Sequence, residues 1–139
     1  MELRSKTTTA EDPTIAGRPG WEGLHVWWLI DRASAGSERL VFNTTTFPPQ
    51  RWHELHRHPH ADEVLYLLSG AGLHLSEGEP VRQSAGDVIF IPAGEWHGFA
   101  NDTDEETVVI AVFGGVGSYA EAGYEIHPGD EGDGAAGAS

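Results

Sequence analysis

Four of the eight histidines in this 139-residue chain stand within eight consecutive positions: His53, His56, His58 and His60. Glu63 follows three residues after the last of them. Neutral imidazole is the commonest protein ligand for transition metals, and a nearby carboxylate is a usual companion, so the chemistry on offer is metal binding. The chain has no cysteine. That excludes disulfides, thiolate metal sites and cysteine nucleophiles, and any metal must be held through nitrogen and oxygen. In a strand, residues i and i+2 share a face about 6.5–7 Å apart, so His56 and His58 can converge on one ion while Leu55 and Arg57 point away. Pro59 bends or ends such a strand, and a turn through His60, Ala61 and Asp62 returns Glu63 on a neighbouring one. His97, which opens a strand after the turn Pro92–Glu95, is the best further donor. Two other readings stand beside this one. His60 can replace His56 in the register, giving His58, His60 and Glu63, or the cluster with His53 is a nonspecific surface patch.

The elements that must position these side chains are short. Eighteen glycines and eight prolines favour tight turns over long helices. Residues 24–30 and 39–47 read as strands, as do 63–68, stopped by Ser69-Gly70, and 106–113. Segments 73–75 and 81–83 flank Glu77-Gly78-Glu79 as a hairpin, and 87–91 and 97–101 flank Pro92–Glu95 as a second. No long amphipathic helix is evident. Many short strands without helices mean a sandwich or small barrel. The length predicts a single domain over residues 21–120. A loose, Thr-rich arm precedes it over 1–20, and an acidic, Gly/Ala-rich tail expected to be disordered follows over 121–139.

The net charge is −14, and no Lys or Arg follows Arg82. Such a chain is not expected to bind nucleic acid or an anionic membrane surface. No apolar run approaches the roughly 20 residues of a membrane span. Residues 1–9 contain no apolar signal-peptide core, and a cytoplasmic location is expected.

Together the motifs resemble the two conserved motifs of the cupin superfamily. The first family pattern is Gly-x5-His-x-His-x3,4-Glu-x6-Gly, which His56, His58, Glu63 and Gly70 fit. Gln50 stands where the family has its opening glycine, a turn residue rather than a ligand. The second is Gly-x5-Pro-x-Gly-x2-His-x3-Asn, matched throughout by Gly86, Pro92, Gly94, His97 and Asn101. The resemblance spans about residues 40–113, and its spacing selects His56 over His60. It implies an all-β, antiparallel double-stranded β-helix, or jelly-roll β-barrel. One divalent transition metal per chain (Fe, Mn, Ni, Cu or Zn) would be held by His56, His58, Glu63 and His97. Pro92 and Gly94 would shape the turn delivering His97, and Asn101 would support the strand after it. The resemblance also implies a homodimer, with the N-terminal arm a candidate for pairing with the partner's sheet.

Three imidazoles and a carboxylate leave two positions of an octahedron open, which suits Lewis-acid chemistry or the meeting of a substrate with O2. Alternation puts Leu65 and Leu67 on the face of Glu63, and Phe99 on that of His97. With Phe90, Phe47 and Trp52 these are the candidate walls of a substrate pocket, although barrel core is the ordinary role of such residues. Glu63 and His60 are candidates for proton transfer, with His53 a rim neighbour. The expected function is a metal-dependent enzyme for a small molecule, foremost a dioxygenase of a phenolic or enolisable substrate. The alternatives are a redox-neutral isomerase, lyase or polyketide cyclase, and a non-catalytic binding or sensing module.

Overall fold

The structure is a computed structural model, and it describes residues 1–15, 18 and 20–129. Its strands are β1 (His25–Ile30), β2 (Leu40–Phe47), β3 (Trp52–Arg57), β4 (Asp62–Ser69), β5 (Ala71–Leu75), β6 (Val81–Ser84), β7 (Val88–Ile91), β8 (His97–Ala100), β9 (Thr107–Gly114) and β10 (Glu125–Ile126). The helices are single turns, α1 (Arg32–Ala35) and α2 (Tyr119–Ala122). Every ladder is antiparallel, and the strands form two sheets ordered β1-β2-β9-β4-β7 and β10-β3-β8-β5-β6. This is the expected all-β jelly roll. Among the described residues no ladder joins the two sheets into a continuous barrel. They close on each other through side chains.

The core between them follows the period-2 pattern of half-buried strands. β9 alternates buried and half-buried along its whole length. Val26, Leu65, Leu67, Ile91, Phe99 and Val109 pack in one cluster. A second, smaller cluster holds Val41, Ala111, Phe113 and Val116 at the α2 end.

Two expectations about connections met different outcomes. β5 and β6 do pair as a hairpin, with Ala71 opposite Ser84. The segment around Pro92–Glu95 does not make one. β7 lies in the first sheet beside β4, whereas β8 lies in the second beside β3 and β5. A Pro- and Gly-bearing turn of this length serves a hairpin or an inter-sheet crossing equally well. The partners decide, because β4 and β3 each offer an open edge to one arm. This crossing brings Glu63, opposite Ile91 in one sheet, toward His97, opposite His56 in the other.

Parts of the two flanking segments are more integrated than the expected boundaries. In the expected arm, the Asp12 N–H donates to the Val26 carbonyl at 2.8 Å, Trp28 Nε1 donates to Asp12 Oδ2 at 2.8 Å, and Ile15 is buried in the core. Asp12 and Ile15 thus lie against their own chain's sheet. Within the expected tail, Ala122 is fully buried and β10 pairs with Arg57 and His56 of β3. Residues 121–129 therefore pack on the body, and the rest of the tail reading, 130–139, lies outside the described residues.

Candidate metal centre

β3 begins the site, and its irregularity shapes it. Pairing with β8 runs Trp52 to Ala100 and His53 to Phe99, then slips before His56 meets His97. A bulge of this kind adds a residue to one strand and re-aims its side chains. Gly98 permits the close approach, since a Cβ there would lie 2.6 Å from the His53 carbonyl oxygen. The result is that His53, Glu54, His56 and His58 are all buried, which strict alternation does not allow.

The ligating atoms of His56, His58 and His97 lie within 4.8 Å of one another. Each ring is held by its other nitrogen. His56 Nδ1 lies 2.7 Å from the Glu54 carbonyl, His58 Nδ1 2.7 Å from that of Gly123, and His97 Nδ1 2.9 Å from that of Glu95. A carbonyl only accepts, so each Nδ1 must donate. In the neutral ring this leaves Nε2 as a bare lone pair, the tautomer a metal requires. Glu63 comes from the facing sheet, with Oε1 2.8 Å from His97 Nε2 and 3.6 Å from His58 Nε2. Neither Glu63 Oε1 nor His97 Nε2 completes a well-formed hydrogen bond among the described residues.

The electrostatics fit the same arrangement. Burial, reinforced by neighbouring His53, His97 and His58, holds His56 well below the ordinary imidazole value. Burial takes His58 down to about 4, against the pull of Glu63. Burial also acts to lower His97, but the Glu63 carboxylate beside it prevails and raises it. Burial alone would raise Glu63; the adjoining His97 and His58 bring it below the usual carboxylate range. Three nitrogen lone pairs and a carboxylate, all buried and converging, are a donor set for a divalent transition metal. The residues present fit the group.

The turn that carries His97 is fixed from several sides. Gly94 adopts φ +83°, a conformation that other residues rarely take, and its N–H donates to the His58 carbonyl at 3.0 Å. The Ala93 N–H donates to Asp62 Oδ1 at 2.9 Å. Beyond β8, Asn101 Nδ2 donates to the carbonyls of Phe47, Pro48 and Glu105, while its Oδ1 accepts from Thr103. Gly70 turns at φ +82° against Thr107, where a Cβ would lie 2.5 Å from the threonine hydroxyl. Gly86 turns at φ +94° before β7.

A family profile for the cupin domain matches residues 43–113, just over half of the chain and the span holding all four candidate ligands. The chain belongs to the cupin family. An oxalate-binding protein of Thermotoga maritima is 29% identical over 113 residues, covering 81% of this cupin and 92% of the relative. A gentisate 1,2-dioxygenase of a Ralstonia species is 36% identical over 81 residues, which are 56% of this cupin but 22% of the dioxygenase. This cupin therefore spans about a fifth of that enzyme. The solved polyketide cyclase RemF of Streptomyces resistomycificus superposes with a TM-score of 0.71 at 25% identity, covering 82% of this chain and 79% of the cyclase.

Of the residues expected to wall a pocket, Leu65, Phe47 and Phe99 line the cavity around the imidazoles, about 40 Å³ in volume. Leu67 is fully buried in the core cluster instead. Phe90 is 60% exposed, because it sits opposite Val64 on the outer face of the first sheet. Trp52 lines a separate surface recess with Glu22, Arg51 and Glu54. His60 is exposed and lines neither the cavity nor the groove beside it, which removes the geometric basis for proton transfer by it. Trp21, Tyr119, Phe113 and Asn43 also wall the cavity, and so does His53. Phe113 was within reach of the alternation along β9. Trp21 and Tyr119 reach the site from outside the strands, where no periodicity reports their direction.

Proposed function

We propose that this cupin is a metal-dependent enzyme acting on a phenolic or enolisable small molecule, with His56, His58, Glu63 and His97 as the ligands of one divalent transition metal per chain. The observation that carries the reading is the set of three imidazoles, oriented by Nδ1–carbonyl bonds so that their Nε2 atoms converge, in an aromatic-walled cavity. A metal bound there supplies a Lewis acid for an enolate or phenolate oxygen and, if redox-active, a route for electrons to O2. The chain's own contribution is positioning and exclusion. His56 and His58, held neutral by burial, present lone pairs at pH 7 without first losing a proton, whereas His97, raised beside Glu63, must release one to bind a metal; Trp21, Phe47, Phe99 and Tyr119 keep bulk water from the site. Glu63, buried and ionised, balances the charge of the ion and is the one carboxylate placed to exchange a proton with a bound oxygen.

Dioxygenase chemistry is the first reading, supported by the gentisate dioxygenase likeness. The similarity to a polyketide cyclase favours redox-neutral chemistry on the same substrate class as the second. Protein loaded anaerobically with Fe(II), then exposed to O2 with gentisate and related phenols, is expected to consume O2 in step with substrate loss. Loss of substrate with Zn(II) and no O2 uptake would give the second reading the site. Binding without change of any substrate, including oxalate, would leave a binding module.

The assembly we propose is a homodimer through the outer face of the first sheet. The register lines up Phe42, Val112, Val64 and Phe90 across four strands, and beside them Ile110, Tyr66 and Val88. Leu68, Val88 and Phe90 are more than half exposed. An apolar sheet face of this extent on a chain of charge −14 is the surface a second copy would cover. No helix among the described residues is long and apolar enough to cross a membrane.

A further inference from the structure

Beside the cavity lies a large concave groove of about 940 Å³. Trp28, Trp96 and Tyr124 wall it, together with Trp21 and Tyr119, which also wall the inner cavity. These two rings form a wall common to groove and cavity. The inner volume of about 40 Å³ admits only one end of a ligand, whereas the groove falls within the roughly 300–1,000 Å³ of sites for drug-sized molecules. A two-carbon acid or a single ring would leave most of the aromatic wall wet. The wall rings are mutually tilted, Trp28 and Tyr119 by 42° with centroids 5.0 Å apart, and offer faces as well as edges for stacking.

Among the described residues four charged groups line the groove, and three are engaged. Arg57 pairs with Glu125 at 2.6 Å and lies over the Trp96 ring at 4.4 Å. Asp31 caps α1 by accepting from the Ser34 N–H at 2.8 Å. Arg18 is half-buried and has no carboxylate within 4 Å among the described residues. A guanidinium is weakly hydrated and suited to a carboxylate or a ring face. The net charge of −14 opposes an anion at long range, but that field is screened beyond about 8 Å at physiological salt, so a local cation decides. At the inner end His53 is 8% exposed, stacked on His56 and tilted against Trp21; its Nδ1 lies 3.9 Å from Glu54 Oε2, and its Nε2 has no hydrogen-bond partner among the described residues. A buried ring nitrogen without a partner can meet a donor or acceptor on a ligand.

We propose that groove and cavity form one binding site for a flat aromatic ligand of two or more fused rings bearing an anionic substituent. The rings stack on the tryptophan and tyrosine walls, the anion meets Arg18, and a hydroxyl or keto oxygen at the inner end meets His53. This rests on the reading that the centre serves a small molecule, and it narrows the class.

The test compares three probes on metal-free full-length protein by tryptophan fluorescence quenching and calorimetry. They are 1-hydroxy-2-naphthoate, salicylate (one ring, same substituents) and 1-naphthol (two rings, no carboxylate). The naphthoate is expected to bind at least tenfold tighter than salicylate and several-fold tighter than naphthol. Arg18→Gln should abolish the preference over naphthol while leaving naphthol binding unchanged. Trp96→Ala, outside the core clusters, should weaken both two-ring probes more than salicylate. His53→Phe, which keeps the ring packing, should weaken all three hydroxylated probes. Equal affinity for naphthoate and salicylate overturns the proposal, as does an Arg18→Gln effect equal on naphthoate and naphthol. Tight naphthoate binding without turnover of any substrate in the metal-loaded protein would sink the enzyme reading and leave this one standing. Turnover of single-ring substrates with no gain from a second ring would do the reverse.

Discussion

Each candidate ligand imidazole donates a hydrogen bond from Nδ1 to a main-chain oxygen, and this local commitment is what separates the centre from a surface patch of histidines. It makes the candidate ligands unequal in a measurable way. His97→Ala is expected to lower metal affinity by more than the roughly 10–100-fold that losing a group behind a ligand costs. His60→Ala should leave it unchanged, because that side chain is exposed outside the cavity. Metal titration by calorimetry reads both. Acid stability belongs to the same scale. His53 and His56 are held low by burial, and burial takes His58 and His74 to about 4 from an ordinary 6.5. Between those values the unfolded chain binds protons that the folded chain refuses, so stability falls as pH drops. His97, raised beside Glu63, runs oppositely: its contribution is full below 6.5 and fades as pH rises. With four groups against one, the thermal midpoint of metal-free protein should be lower at pH 4.5 than at pH 7. An unchanged midpoint would contradict the assigned burial.

At the scale of elements, β3, β8 and the turn between β7 and β8 decide the geometry. Asn101 supports three carbonyls and the loop after β8. Asn101→Ala leaves buried carbonyls unpaired, at about 1–3 kcal/mol per group, and should lower the denaturant midpoint while metal stoichiometry persists. Much of this was legible in the chain. The spacing of His56, His58 and Glu63 and of Pro92, Gly94 and His97 marked residues that the fold brings together, and alternation pointed Leu65 and Phe99 into the same cavity. What failed did so for physical reasons. A period-2 reading cannot foresee the bulge between His53 and His56, so His53 is assigned to the rim although it is buried in the cavity wall. Nor does it distinguish a buried face from an apolar exposed one, which is why Phe90 reads as pocket. The turn at Pro92–Glu95 reads as a hairpin because turn chemistry is local, whereas sheet membership is set by distant partners.

The described residues form two facing sheets, one of them presenting an apolar outer face, with Trp21 and the segment from Tyr119 to Ile126 packed beside the site. Ile126 pairs with His56 through β10, and the Gly123 carbonyl orients His58, so residues 121–129 are part of the centre's support. On the outer face, the proposed dimer needs about 800 Å² from each partner. Light scattering with size-exclusion chromatography should give twice the chain mass for the unmodified protein. The doubly substituted Val88→Glu, Phe90→Glu protein should run as a monomer with unchanged circular dichroism. A wild-type monomer at micromolar concentration would contradict that assembly.

The central claim is that the three imidazoles and Glu63 form one centre for one transition metal. Elemental analysis of untagged protein, purified without added metal, tests it most directly. The expected result is close to one equivalent of a transition metal per chain, lost in His97→Ala and retained in a double His53→Phe, His60→Ala variant. Metal retained without His97, or lost only with His53 and His60, would contradict it.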